Sequence, residues 1–306
     1  MSLVSIIVPA YNEESNIEPF YLAILTVFKQ IPDANFELIF VNDGSSDKTL
    51  ETIKEFNKKD NRVKGLSFAR NFGKEAALFA GLRAVTGDCA IILDADLQHP
   101  PAVIPEMYAK WKEGFLVVEG IKTDRGSESF AHKAFTKLFY SLISKAVGMD
   151  MKNSSDYKLL DKKVVDELTK LTERNTFFRA LSYWVGFNKT TVYYNVQERQ
   201  SGETKWSTTS LIKYAINNIV SFSYAPLKII SFIGIVFICA GLVLCIDALI
   251  SYIIGTAADG FPTIVFLLLI GFGGVLLSLG IIGKYIEQIY DEVKGRPQYI
   301  VEERIE

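Results

Sequence analysis

Two aspartates one residue apart, Asp94 and Asp96, follow the short apolar run AIIL at 90–93. Carboxylates at this spacing are hard oxygen ligands, suited to Mg²⁺ or Mn²⁺ bridging two phosphates. The chain has neither GxGxxG nor GxxxxGK[ST], so a diphosphate would have to be neutralised without a dinucleotide fingerprint or a P-loop. Three other apolar runs also end in polar, ligand-capable residues. These are Tyr11 to Glu14 after Pro9, Asn42 to Asp47, and Arg70 to Lys74. Each segment alone reads equally well as a turn or cap, with Asp43-Gly44 as the turn and Ser46 or Asp47 as the cap. Four of them together point to a binding cleft.

The elements behind these segments follow from local pattern. Candidate strands are Leu3–Val8, Phe36–Val41, Val63–Phe68, Ala90–Leu93 and Leu116–Val118, with helical stretches near 14–29, 47–59, 74–86 and 101–113. This alternation predicts an α/β domain, a mainly parallel sheet with helices on both faces. Ligands of such sheets bind at the carboxyl ends of the strands.

The 306 residues are 49% hydrophobic and 22% charged, with formal net charge −2. The mean hydropathy is +0.19. This composition excludes a disordered chain and disfavours a nucleic-acid partner. Cys89, Cys239 and Cys245 have no metal-knot or disulfide-framework spacing. The apolar excess lies in two charge-free runs, 229–246 and 263–283, the first followed by Asp247 and ALISYII. Each is long enough for a hydrocarbon core of roughly 30 Å, which predicts two transmembrane helices. Lys228 precedes the first and Lys284 follows the second, while the linker GTAADGFP holds Asp259 and no Lys or Arg. The positive-inside bias then puts both chain ends in the cytoplasm, and Asp247 is expected near the outer interface. The N-terminal stretch MSLVSIIVPAYNEE turns polar too soon for a signal peptide. Gly271, Gly273, Gly274 and Ser278 form a small-residue stripe suited to helix packing. The expected divisions are a catalytic domain over 1–207, an amphipathic juxtamembrane helix over 208–227, a transmembrane hairpin over 228–286, and a cytoplasmic tail over 287–306 without a role.

The segments PAYNEE, VNDGSSD, ARNFGKEAA and DADLQHPP, in this order, resemble family-2 inverting glycosyltransferases of the GT-A, Rossmann-like fold. The resemblance is strongest to polyisoprenyl-phosphate glycosyltransferases, such as bactoprenol glucosyltransferases and dolichol-phosphate mannose synthases, and covers essentially the whole chain. It implies that Pro9, Tyr11, Glu13 and Asp43 hold the nucleoside, that Asp94 lies near the ribose and metal, and that Asp96 and Gln98 ligate the metal. Arg199 and Lys205 lie in RQSGETKW, which matches the family's R-x-x-G-x-[ST]-K-[YW] segment. They are expected to clamp phosphate charge. Asp156 lies in NSSDYK, where the family often places a catalytic aspartate followed by an aromatic residue and Arg. Here Lys158 stands in place of that Arg, which weakens any expectation of a bidentate contact there.

The expected reaction moves a hexose, glucose first, from a UDP-sugar to undecaprenyl phosphate with inversion. A phosphate monoester with a second pKa of about 6 is already a nucleophile at neutral pH, so Asp156 is expected to orient acceptor or donor groups, with a general base as the second reading. Residues 130–147 and 209–222 read as amphipathic helices for a membrane surface. Between Lys122 and Lys145 there are five positive and two negative charges, which makes Arg125 a candidate ligand of the acceptor phosphate. Both histidines, His99 and His132, lack a nucleophile–base arrangement in the sequence. The expected location is a bacterial plasma membrane, with oligomerisation through the spans, to a tetramer as in similar proteins. Alternatives are a GDP-mannose-using enzyme, a polysaccharide-extending synthase and a non-catalytic nucleotide-sugar sensor.

Overall fold

The computed structural model describes residues 1–123, 141, 144, 154–174, 176–195, 220–221, 223–255 and 260–306. The chain forms two compact units, Met1–Leu211 with Arg296–Glu306, and the intervening Ile212–Gly295.

The first unit is built on an eight-stranded sheet in the order β7-β5-β6-β4-β1-β2-β3-β8. Its strands are β1 (Ser2–Ala10), β2 (Ala34–Asn42), β3 (Val63–Phe68), β4 (Cys89–Ile92), β5 (Val117–Lys122), β6 (Lys158–Asp161), β7 (Lys189–Tyr194) and β8 (Val301–Ile305). The pairs β1–β2, β1–β4, β2–β3 and β5–β7 are parallel. The pairs β3–β8, β4–β6 and β5–β6 are antiparallel. Its helices among the described residues include α1 (Ile17–Phe28), α2 (Thr49–Lys59), α3 (Lys74–Arg83), α4 (Ile104–Lys112), α5 (Lys162–Lys170) and α6 (Phe178–Trp184).

Central strands read as near-continuous apolar runs because both faces are covered, with Ser5 and Glu37 as buried polar exceptions. In β1, Val4, Ile6 and Val8 join a core with Ile17, Phe20 and Ile24 of α1 and with Ile104 and Met107 of α4. Ile7 points to the other face, onto α3. There a Cβ on Gly81 would come within 2.3 Å of Ile7 Cγ2, so the glycine sets how closely α3 lies on β1. Helices therefore cover both faces, and all five candidate strands and the four helical stretches are present.

Three strands were not anticipated. The short run Lys158–Asp161 forms β6, and Lys189–Tyr194 forms an edge strand. Val301–Ile305, expected to be part of a roleless tail, pairs antiparallel with β3, Gly65 opposite Ile305 and Phe68 opposite Val301. Its charged residues Glu302 and Arg304 alternate outward in the period of a strand. Tyr299 stacks on Phe68 with ring centroids 4.9 Å apart, and Lys54 pairs with Glu303 at 2.7 Å.

The second unit contains α7 (Ala225–Ile254) and α8 (Phe261–Val293). Both are long and apolar enough to cross a membrane, with mean hydropathy of 3.0 and 2.7 in their most apolar stretches. At about 1.5 Å per residue each exceeds a hydrocarbon core. α8 continues past Gly283 through Lys284 and Glu287 to Val293, taking in the first part of the expected tail. Near that end the Tyr285 hydroxyl donates to the Ser223 carbonyl at 2.7 Å, and Gln288 Nε2 donates to Ser221 Oγ at 2.9 Å. These bonds hold the last part of α8 beside the residues that precede α7, as in an antiparallel hairpin.

Candidate active site

Parallel pairing places the carboxyl ends of β1, β2, β3 and β4 along one edge of the sheet. β6 runs opposite to β4, with Lys158 facing Ile92, so the residues just before β6 arrive where β4 ends. This brings Asp156 beside Asp94. Lys74, the first residue of α3, joins the two. Its Nζ lies 2.7 and 2.9 Å from the two Asp94 oxygens and 3.1 Å from Asp156 Oδ2.

Arg179 of α6 completes the cluster. Its Nε donates to Asp156 Oδ1 at 2.7 Å and its Nη2 to Oδ2 at 2.9 Å. A bidentate contact to Asp156 is thus made by an arginine of α6. Burial alone would raise the Asp156 carboxyl, but Arg179 and then Lys74 outweigh it and hold it well below the usual carboxylate range. Burial also acts to raise Asp94, and Lys74 and His99 override it, so Asp94 is lowered. Burial acts to lower Lys74, and Asp94 and Asp156 more than reverse this, so its ammonium is strengthened. Glu75 moves the other way. Burial and the negative charge of Asp156 push it up to about 7, although the Phe178 N–H donates to it at 2.8 Å.

A second, closed ion pair lies under the Asp156 turn. Lys158 Nζ is 2.7 Å from Glu119 Oε1, with side chains 0% and 1% exposed. Glu119 Oε1 also accepts from Ser154 Oγ at 2.9 Å and Ser155 N at 3.0 Å, and Oε2 accepts from the Tyr183 hydroxyl. Burial acts to raise Glu119, and Lys158 leads the contacts that reverse it, leaving the carboxyl lowered, while burial lowers Lys158 itself.

The Asp94–Gln98 loop is turned by Leu97, whose φ of 58° is uncommon for a residue with a side chain. Asp96 Oδ1 accepts the Gln98 N–H at 3.1 Å inside this turn. Such conformations cluster at functional sites. His99, buried below, contacts the Tyr194 hydroxyl through Nδ1, and its Nε2 lies 3.6 Å from Asp94 Oδ2. It supports Asp94 and has no nucleophile beside it in these contacts. Asp94, Asp96 and the Gln98 amide offer oxygens on one short loop, a donor set that fits a hard divalent cation. Among the described residues no group of three or more His, Cys, Asp or Glu forms a cage. A hard divalent cation at a phosphate site is commonly held by one or two carboxylates and completed by substrate phosphates.

The loops after β1 and β2 are laced together. Asn12, at φ 55°, accepts from Ser46 N at 2.8 Å, and its own N–H donates to Ser45 Oγ at 2.9 Å. Tyr11 is exposed, Pro9 and Glu13 are half-buried, and the Glu13 N–H donates to Thr49 Oγ1 at 2.9 Å. Asp43 is buried, and its two oxygens accept from Phe72 N at 2.6 Å and Gly73 N at 2.9 Å. Burial dominates and raises its pKa. Asp43 thus also braces the β3–α3 loop, a job the sequence did not suggest. Arg125, Arg199, Lys205 and His132 lie outside the described residues, as do nearly all of the two expected amphipathic helices.

Lys74 and His99 stand inside segments already singled out, and their types alone did not mark them. Arg179 had no motif around it, because its partner is brought to it only by sheet pairing.

The model of the family described as Glycosyl transferase family 2 matches residues 5–169. An uncharacterized glycosyltransferase of Bacillus subtilis, YkcC, is 42% identical over 97% of this chain and 93% of its own length. A protein of Escherichia coli named prophage bactoprenol glucosyl transferase homolog is 36% identical over 97% of this chain and 98% of its own. Among solved structures, glucosyl-3-phosphoglycerate synthase from Mycobacterium tuberculosis is 19% identical over 72% of this chain and 76% of its own, with a TM-score of 0.49.

Proposed function

The chain belongs to glycosyl transferase family 2, and from that premise we propose that it transfers glucose from UDP-glucose to undecaprenyl phosphate at a bacterial plasma membrane. The observation that carries sugar and acceptor is the 36% identity to the bactoprenol glucosyl transferase homolog of Escherichia coli. Its coverage takes in the apolar helices together with the sheet.

In the proposed reaction a phosphate oxygen of the lipid attacks the anomeric carbon of glucose. The bond from that carbon to the UDP oxygen breaks, and its electron pair leaves with the diphosphate. In-line attack inverts an α-linked donor to a β-linked product. Asp156, kept ionised by Arg179 and Lys74, is a poor proton acceptor at neutral pH. Its proposed role is orientation, which a phosphate nucleophile permits because it needs no base. Asp96, with Asp94 and Gln98, would hold a divalent cation, Mg²⁺ or Mn²⁺. Such a cation supplies positive charge to the departing diphosphate. Pro9, Tyr11, Glu13 and Asp43 are proposed for the nucleoside, with Asp43 taking a base N–H as a further partner. Arg199 and Lys205 are proposed for the diphosphate, and Arg125 for the acceptor phosphate.

The proposed topology has support in chain connectivity. The first unit is assembled from chain on both sides of the two apolar helices. A folded unit lies on one side of a membrane, so the intervening chain must cross an even number of times. With Lys228 and Lys284 at the flanks, that side is cytoplasmic.

A donor screen tests the proposal. Full-length protein in detergent is given undecaprenyl phosphate, Mg²⁺ or Mn²⁺, and each common UDP- and GDP-sugar, and the lipids are read by mass spectrometry. The expected result is one glucosyl phospholipid, from UDP-glucose, absent with Asp96→Ala. No lipid product from any donor by a folded, UDP-binding protein would overturn the proposal.

A further inference from the structure

The Lys74 ammonium occupies a position that the proposed metal chemistry needs. It spans both oxygens of Asp94 at 2.7 and 2.9 Å while also reaching Asp156 at 3.1 Å. Asp156 has a second, stronger partner in the Arg179 fork. Lys74 therefore matters most to Asp94. It is also able to move, because its side chain is 41% exposed and its four-carbon stem is flexible. A divalent cation and an ammonium cannot both sit against one carboxylate without strong repulsion at such short range.

We infer that Lys74 competes with the divalent cation for Asp94, so that the cation is bound together with the nucleoside diphosphate rather than ahead of it. The inference rests on the metal-assisted reading above. A cation arriving alone has to displace an ammonium from Asp94 and gains few protein oxygens in return. A cation arriving with a diphosphate brings its own anionic ligands, and the displaced ammonium retains Asp156 and gains phosphate oxygens as neighbours. Lys74 is in this sense a positioning residue. It keeps Asp94 neutralised and oriented, and it makes nucleotide and cation binding depend on each other.

The test is a Mn²⁺ binding measurement, by the electron paramagnetic resonance signal of free Mn²⁺, on the full chain in detergent. Wild type, Lys74→Met and Lys74→Gln are titrated with and without UDP, each both with Asp96 intact and as a parallel Asp96→Ala version, after thermal unfolding has shown them folded. The glutamine variant keeps a hydrogen-bond donor in place should the methionine variant fail to fold. The expected result is that both variants bind Mn²⁺ alone about tenfold more tightly than wild type. UDP should then enhance Mn²⁺ binding less in the variants than in wild type. If the variants bind Mn²⁺ alone no more tightly, while Asp96→Ala abolishes binding throughout, the competition is overturned and the metal site stands. If Asp96→Ala leaves Mn²⁺ binding unchanged in every background, the metal reading itself falls, and this inference with it.

Discussion

Lys74 and Lys158 each approach a carboxylate to 2.7 Å, and both pairs help to hold Asp156. They differ in solvent access. Lys158 and Glu119 are 0% and 1% exposed, whereas Lys74 and Asp94 are 41% and 27% exposed. A buried pair cannot change partners without exposing a bare charge to a poorly polarisable interior. An open pair can trade one partner for another, because water and ligands reach it. The closed pair fixes the turn from below, through Ser154 and Ser155, and the open pair presents exchangeable charge above it. The same two functional groups therefore make a framework in one place and a working surface in the other.

Breaking the closed pair should have the largest effect on stability. Glu119→Ala strands the Lys158 ammonium and should cost about 3–5 kcal/mol, read from denaturant unfolding. Adding Lys158→Met should recover much of that loss; a double variant no better than Glu119→Ala would mean the charge is not what the site needs.

Gly44→Ala tests the laced loops that carry Asp43. Gly44 has φ +64°, and a Cβ there would lie 2.4 Å from the Arg70 carbonyl carbon. The cost should be about 1–3 kcal/mol, with weaker UDP binding by calorimetry.

Opening the exposed pair should cost far less. Lys74→Met should lower stability by at most about 1 kcal/mol in the same unfolding assay, as for other solvent-reachable pairs. A loss as large as that of Glu119→Ala would erase the distinction between the two.

The last effect is one of pH dependence and concerns Glu75. Its folded pKa is raised from 4.5 to about 7, so the folded chain binds the extra proton. The stabilisation is fully present below the ordinary pKa and lost as pH rises through the raised one. Replacing it by Gln should flatten the fall of the melting temperature between about pH 4.5 and 7, the span of that shift.

Legibility in the sequence followed the same division. The strands β1 to β5 and the four strand ends could be read because buried parallel strands are runs of β-branched residues followed by polar loops. The apolar helices could be read because a membrane excludes charge over a long stretch. The strands β6 and β8 could not. Lys158 hides a buried charge in a strand that looks polar, and Glu302, Glu303 and Arg304 make a paired strand look like a solvated tail. Asp94, Asp96 and Asp156 were legible as types in motifs. The joining of Asp94 to Asp156 by Lys74, and of Asp156 to Arg179, was not, because it depends on the antiparallel entry of β6 and on a helix with no motif of its own.

The most direct test of the charged edge as the catalytic centre is the initial rate of glucosyl transfer from UDP-glucose to undecaprenyl phosphate by wild type and Asp156→Asn. Melting temperatures are measured on the same preparations. The expected result is a loss of about a hundredfold or more in rate, as for removal of a preorganised charged group, with the fold retained. Near-normal turnover by a folded Asp156→Asn would contradict the assignment of this edge as the reaction centre.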